Sequence, residues 1–258
     1  VNKFFQSVVS NKFVYFGEYW YDNGGLPSIL VNYLKTHELN IFEYLDKDKF
    51  LKVSSDDFKN PTALTTINQN VLMCQTGYLT LRSDLNKTST VALGIPNGEI
   101  YKALNRLLAN NIFKGNTDIT DDYGRSLLEV GTADDIINLF NSALNSVSYD
   151  NYPIVTESSV QNMLKLYLLG AHQKVLSEVH EAKGRADLVV NTDNRRIVFE
   201  FKYAKNETEA KSKLLDAVEQ IKTRDYGNIV PKKTELLRIA TVFNADPKVR
   251  AFTEFQLV

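Results

Sequence analysis

Residues 184–204 read GRADLVVNTDNRRIVFEFKYA, two apolar runs on either side of one strong turn signal, Asp193-Asn194. Both residue types tolerate positive φ, which the favoured two-residue hairpin turns use. Such a turn sets Thr192 opposite Arg195 and brings Asp187 directly across from Glu200. Opposed Cβ atoms in a strand pair are about 4.5–5.5 Å apart, so the two carboxylates could share one divalent cation. Alternation along the second strand puts Glu200 and Lys202 on one face and Phe199 and Phe201 on the other. Two acids and an ammonium therefore converge on strands otherwise rich in Val, Ile and Phe. Unpaired, such buried charges would cost several kcal/mol or be neutralised. A solvated hairpin face would need no such resolution, its Glu–Lys pair contributing under about 1 kcal/mol. The apolar flanks instead favour covered strands, and a metal with a nearby lysine resolves the conflict.

Working outward, Glu157–Leu169 has helical spacing, with Val160, Met163, Leu164, Tyr167 and Leu168 on one side. Strands are expected at Lys174–Glu181, Arg185–Asn191 and Arg196–Tyr203. A helix capped by Asn206, with Glu209 three residues on, then carries Ala210, Leu214, Ala217, Val218 and Ile221. A strand at Leu236–Phe243 completes an α-β-β-β-α-β order, and a turn at Ala245-Asp246-Pro247 then precedes a further strand at Ala251–Val258. The first half reads mainly helical: Leu26–Leu34 with Pro27 near its start, then Leu64–Met73. Tyr78–Leu81 and Thr88–Leu93 form a hairpin across Ser83–Lys87. A helix follows Pro96-Asn97-Gly98, and another spans Ala133–Val147. Residues 114–125 (KGNTDITDDYGR) read as a surface loop. The Ser, Asn and Asp cluster up to Pro153 marks a boundary. The expected domains are residues 1–148, helical and lid-like or winged-helix-like, and residues 149–258, which hold the acids. The fold class is α+β or α/β.

The 258 residues carry a formal net charge of -1, so no global polyanion-binding surface is implied. Residues 151–258 hold 17 Lys and Arg against 14 Asp and Glu, a tilt that favours phosphate in that half. Cys74 is the only cysteine, which excludes a disulfide framework and a thiolate cluster and suits a reducing, cytoplasmic setting. His37, His172 and His180 lack zinc-ligand spacing. No apolar run approaches a membrane span of roughly 20 residues, and no signal pattern opens the chain. The start at Val1 suggests a fragment of something longer.

GRADLVV, then VFEFK, then VEQIKTRDY resembles the PD-(D/E)XK nuclease superfamily, and the αβββαβ order is similar to its restriction-endonuclease-like core. The closest likeness is to the bacterial branch whose nuclease follows an AAA-ATPase-like module. This resemblance implies Asp187 and Glu200 as metal-binding acids, Lys202 as the lysine of the site and Glu157 as the acid of the first core helix. Gln220 and Tyr226 correspond to the family's glutamine and tyrosine after the lysine strand. Mg²⁺ is the implied cofactor, with Mn²⁺ as a substitute, because hard carboxylate oxygens suit it and it keeps several waters. Residues 19–34 (YWYDNGGLPSILVNYL), VLMCQTGYLTLR and LGIPNGEI look like the ATPase-module tail of that branch. No G-x4-G-K-[ST] phosphate loop is present, so no ATP hydrolysis is expected. A partner ATPase, or a missing ATPase segment, is.

The expected activity is Mg²⁺-dependent hydrolysis of nucleic acid, most of all as a DNA endonuclease. The rivals are a silent binding module and a nuclease latent until an ATPase activates it. Lys183 and Arg185 flank the hairpin as phosphate contacts, with solvated turn charges as the equal alternative. Glu178 is either a further ligand or a structural residue of its strand. Lys232-Lys233 reads as a loop facing DNA, and Trp20 as core.

Overall fold

The computed structural model describes residues 28–34, 37, 39–60, 63, 66–82, 89–113, 122–171, 173–181, 183–227 and 234–258. Trp20, the Asn23–Pro27 segment, the Ser83–Lys87 turn, His172 and Lys232-Lys233 lie outside these residues. The chain divides into two compact units, Val1–Leu107 and Leu108–Val258.

In the first unit, α1 (Ser28–Leu34) is followed by a 3-10 turn, β1 (Leu51–Ser54), α2 (Ser55–Lys59), α3 (Gln69–Gln75), β2 (Thr80–Leu81) and β3 (Thr90–Gly94). The strands form an antiparallel sheet of order β1-β3-β2. The expected hairpin is present, but β2 holds only two of the four residues read as strand. Tyr78 and Leu79 are buried in a turn after α3, where both N–H groups donate to the Met73 carbonyl. β1 escapes a sequence reading because its four residues bury only Leu51 and Val53, too few alternations for a period to register. α4 (Gly98–Ile112) starts after Pro96-Asn97 as expected, with Asn97 Oδ1 accepting the Ile100 N–H. The division between units falls inside it.

The second unit adds α5 (Asp122–Val130) and α6 (Ala133–Asn145), so the loop reading of residues 114–125 fails from Asp122 onward. The polar DYGR run, residues 122–125, forms the first turn of α5, and Leu128 is a buried anchor on that helix. A Thr132–Asp135 capping box then starts α6. The core order is α7 (Glu157–Gly170), β4 (Lys174–Glu181), β5 (Gly184–Asn191), β6 (Arg195–Ala204), α8 (Glu207–Arg224), β7 (Glu235–Asn244) and β8 (Ala251–Leu257). This is the αβββαβ order expected, with one further strand.

The five strands form one mixed sheet in that same order. β6 and β7 are parallel, joined by α8, and every other pair is antiparallel. Both faces of β6 are covered, which explains why its sequence reads as a nearly continuous apolar run rather than a clean alternation. On one face, Ala217, Val218 and Ile221 of α8 pack with Val189, Val198 and Ala240. On the other, Phe140 of α6 meets Phe199 at 5.3 Å and Phe252 at 6.4 Å. Asn141 fastens α6 to β8: its amide donates to the Phe252 carbonyl at 3.0 Å and accepts the Phe252 N–H at 2.8 Å. Asn206 caps α8 by accepting the Glu209 N–H. The Glu209 carboxylate reaches back to the Lys205 N–H at 2.8 Å, one residue earlier than a standard capping box.

Candidate active site

The β5–β6 hairpin has the register read from its turn. The Thr192 N–H donates to the Arg195 carbonyl at 2.9 Å, and the ladder runs from Asn191↔Arg196 to Leu188↔Phe199. It stops one position short of the acid pair. Hydrogen-bonded pairs alternate in such a ladder, so the Phe201 N–H would next meet the Ala186 carbonyl. It donates instead to Asp187 Oδ2 at 2.9 Å. The Asp187 side chain thus takes the place of a main-chain acceptor, and the strands part where the site begins. The expected direct pairing of Asp187 with Glu200 is opened in this way, while the two carboxylates still feel each other's charge.

Glu200 is fully buried. Its Oε1 accepts from Lys202 Nζ at 2.8 Å, whereas its Oε2 has no hydrogen-bond partner. A buried carboxylate oxygen left unpaired is costly and calls for a ligand. Burial first, and Asp187 second, push the Glu200 carboxyl up to about 7. Asp187 is pushed up to about 6, again by burial, against the lowering effects of the Phe201 N–H and Lys202. Burial works against the Lys202 ammonium, yet Glu200, Glu157 and Asp187 together hold its pKa above the ordinary lysine value. An isolated general base at Lys202 is therefore not what this charge set produces.

Glu157 is the first residue of α7, where an acid complements the helix dipole. Its Oε1 lies 3.7 Å from Lys202 Nζ, so α7 delivers it to the same cluster. Glu178 occupies the position across β4–β5 from Asp187, between Ser177↔Leu188 and Val179↔Ala186. It breaks the ladder there with φ 54. Its carboxylate is paired with Arg185 and contributes to raising the Asp187 pKa. Arg185 is thus engaged by an acid, while Lys183 is exposed in the β4–β5 turn.

Gln220 and Tyr226 meet, the amide donating to the Tyr226 hydroxyl at 3.3 Å. Tyr226 is fully buried and follows Asp225, which ends α8 in the left-handed conformation at φ 52. Arg238 locks this turn, donating to the Tyr226 carbonyl at 2.6 Å and to Asp225 Oδ1 at 2.8 Å. Gly227 completes it at φ 81, where a Cβ would lie 2.8 Å from Leu236 Cδ1 and 2.9 Å from Val198 Cγ2. Sequence reasoning passed over Arg224, whose Nη1 donates to the Tyr226 hydroxyl at 2.8 Å. Only its place two residues before Tyr226 could have signalled it.

Among the described residues, no three His, Cys, Asp or Glu side chains form a ready-made metal cage. Two carboxylates with one unsatisfied oxygen suit a hard cation that keeps most of its waters, which is the habit of Mg²⁺. The donor set therefore fits a divalent metal, which Asp187 and Glu200 could hold.

Acids on two adjacent strands, with a lysine two positions beyond the second, form a site of the kind used in metal-assisted phosphodiester hydrolysis. Residues 155–253 match the family model of the PD-(D/E)XK nuclease superfamily. The match runs from α7 through β7 into the first residues of β8 and includes Glu157, Asp187, Glu200, Lys202, Gln220 and Tyr226. It supports a nuclease acting on nucleic acid. No curated protein matches the chain. No helix among the described residues is long and apolar enough to cross a membrane.

Proposed function

We propose that residues 149–258 form a Mg²⁺-dependent nuclease domain whose substrate is DNA, cut internally. The observation that carries this reading is the buried, unpartnered Oε2 of Glu200 beside Asp187, on the two strands that the family match spans. A divalent cation held there would supply Lewis-acid polarisation of the phosphodiester and a nucleophilic water at neutral pH. Asp187 and Glu200 hold that cation. Lys202, anchored by Glu200 at 2.8 Å and Glu157 at 3.7 Å, orients the attacking water and offsets charge accumulating on phosphorus. Gln220 and Tyr226 set the end of α8 against the site, and Lys183 and Arg185 guide the backbone. A role for Glu157 in the metal shell follows if Lys202 swings toward substrate.

The first unit supports a lid-like or winged-helix-like attachment through its short helices and hairpin. An ATPase partner, or an ATPase segment of a longer protein, is the setting its sequence likeness favours. The formal net charge of -1 leaves room for a module that binds without cutting.

Plasmid DNA and labelled single- and double-stranded DNA and RNA, incubated with Mg²⁺, Mn²⁺ or chelator, separate these readings. Wild type should cut DNA only with metal, and Asp187→Ala, Glu200→Ala and Lys202→Ala should not. Equal trace cutting by all four proteins would sink the catalytic reading. Tight binding without metal-dependent cutting would favour the binding module.

A further inference from the structure

Arg224 ends α8 as an exposed residue, yet it is held at two points. Its aliphatic stem lies against Gly184, where a Cβ would come within 2.5 Å of Arg224 Cδ and 3.2 Å of Cγ. A side chain at position 184 would displace the arginine stem from this place. Beyond the stem, Nη1 donates to the Tyr226 hydroxyl at 2.8 Å. That hydroxyl belongs to a fully buried ring whose own main chain is fixed by Arg238.

The rest of the guanidinium has no acceptor among the described residues. Arg185 differs, because Glu178 already engages it, and Lys183 simply projects from its turn. The Tyr226 hydroxyl favours the charged form of Arg224, and so, at longer range, do the Glu200 and Asp187 carboxylates. A cation seated against Gly184, on the strand that carries Asp187, and tied to the Tyr226 hydroxyl thus forms no ion pair with either acid.

We propose that Arg224 is a phosphate-binding residue of the active site, its free N–H groups taking a non-bridging oxygen of the phosphodiester that is cut. The proposal rests on the nuclease reading above. The guanidinium is planar, always charged and suited to two parallel bonds to phosphate oxygens, which a lysine cannot reproduce. Tyr226, acting through Arg224, is a positioning residue, and Gly184 provides the floor on which the stem lies.

The test uses the full chain and single-turnover cleavage of a DNA oligonucleotide with Mg²⁺. Parallel measurements cover DNA affinity in Ca²⁺, Mn²⁺ affinity, and thermal stability. Arg224→Gln should lower the cleavage rate about 100-fold, the loss typical of removing one donor to a developing oxyanion. Mn²⁺ affinity and melting temperature should stay at wild-type values. Arg224→Lys should recover only part of the rate, and added guanidinium ion should partly rescue Arg224→Ala. With a methylphosphonate at the cut position, the penalty of Arg224→Gln should shrink severalfold, because the charged oxygen is gone. Cleavage by Arg224→Gln within twofold of wild type, with wild type active, overturns this proposal alone. Loss of metal affinity or stability in step with activity, without guanidinium rescue, also overturns it by showing a structural role. An inactive wild type overturns the nuclease reading and this proposal together.

Discussion

Replacing Glu200 by Gln in the metal-free protein should raise its stability at pH 8, although the same change should abolish activity. The Glu200 carboxyl rises from its ordinary 4.5 to about 7, which corresponds to roughly 3 kcal/mol held against its ionised form above pH 7. An amide of the same shape removes that cost and keeps an oxygen for Lys202 Nζ, now 2.8 Å from Oε1. The value of about 7 already contains the Lys202 attraction lost on neutralisation, and the new amide N–H group, without an acceptor in that buried place, costs about 1 kcal/mol, leaving a net gain of about 2 kcal/mol. For a unit of this size the gain amounts to an increase of roughly 4–8 °C in melting temperature. The assay is thermal unfolding followed by circular dichroism, with chelator, from pH 5 to pH 8. The advantage of Glu200→Gln should shrink toward pH 5, as the native glutamate becomes protonated and the unfolded one approaches its own pKa, and grow with pH. Mg²⁺ at pH 8 should then stabilise the wild type and leave the variant unmoved. A variant less stable than wild type at pH 8 without metal would refute the reasoning, as would an offset that does not change with pH.

The same carboxyls give the wild type a pH dependence with a defined sign. Both folded pKa values lie above the unfolded ones, so the native state binds more protons in the window between them. Metal-free stability should therefore fall as pH rises from about 4 through about 6 for Asp187 and about 7 for Glu200. Divalent-metal affinity should climb over the upper part of that window, because ligation needs ionised carboxylates, and calorimetry across pH 5–8 checks it. Asp187→Asn and Asp187→Ala should both be inactive but differ in stability. Asn can still accept the Phe201 N–H now held at 2.9 Å, whereas Ala strands it at a cost of about 1–3 kcal/mol, readable by urea denaturation. Gly227→Ala should lose at least about 1 kcal/mol, through φ 81 and the contact with Leu236, and should slow cleavage by disturbing Tyr226.

The hairpin was legible in sequence because a two-residue turn leaves the register no freedom. Asp193-Asn194 therefore fixed which residues lie opposite each other, and alternation fixed the shared face of Glu200 and Lys202. The opening of the ladder at Asp187 was not legible, since side chain and main chain compete for the Phe201 N–H only in three dimensions. Nor was the place of Glu178 across from Asp187, because the β4–β5 turn carries no comparably strong signal and the break comes with a positive φ. In α5, a polar first turn hid a helix whose buried anchor, Leu128, comes only in the next turn. Arg224 had no periodic or motif signal, and its meaning comes from Gly184, forty residues away in sequence.

The central claim is that Asp187 and Glu200 hold one divalent metal ion. Crystals grown with Mn²⁺ and measured at the manganese absorption edge test it most directly. The account predicts a single anomalous peak bridging Asp187 and Glu200, within about 2.5 Å of an oxygen of each and completed by waters. The peak should be absent in Glu200→Gln crystals grown the same way. No peak between these carboxylates in wild-type crystals at saturating Mn²⁺, or an undiminished peak in the variant, would contradict the claim.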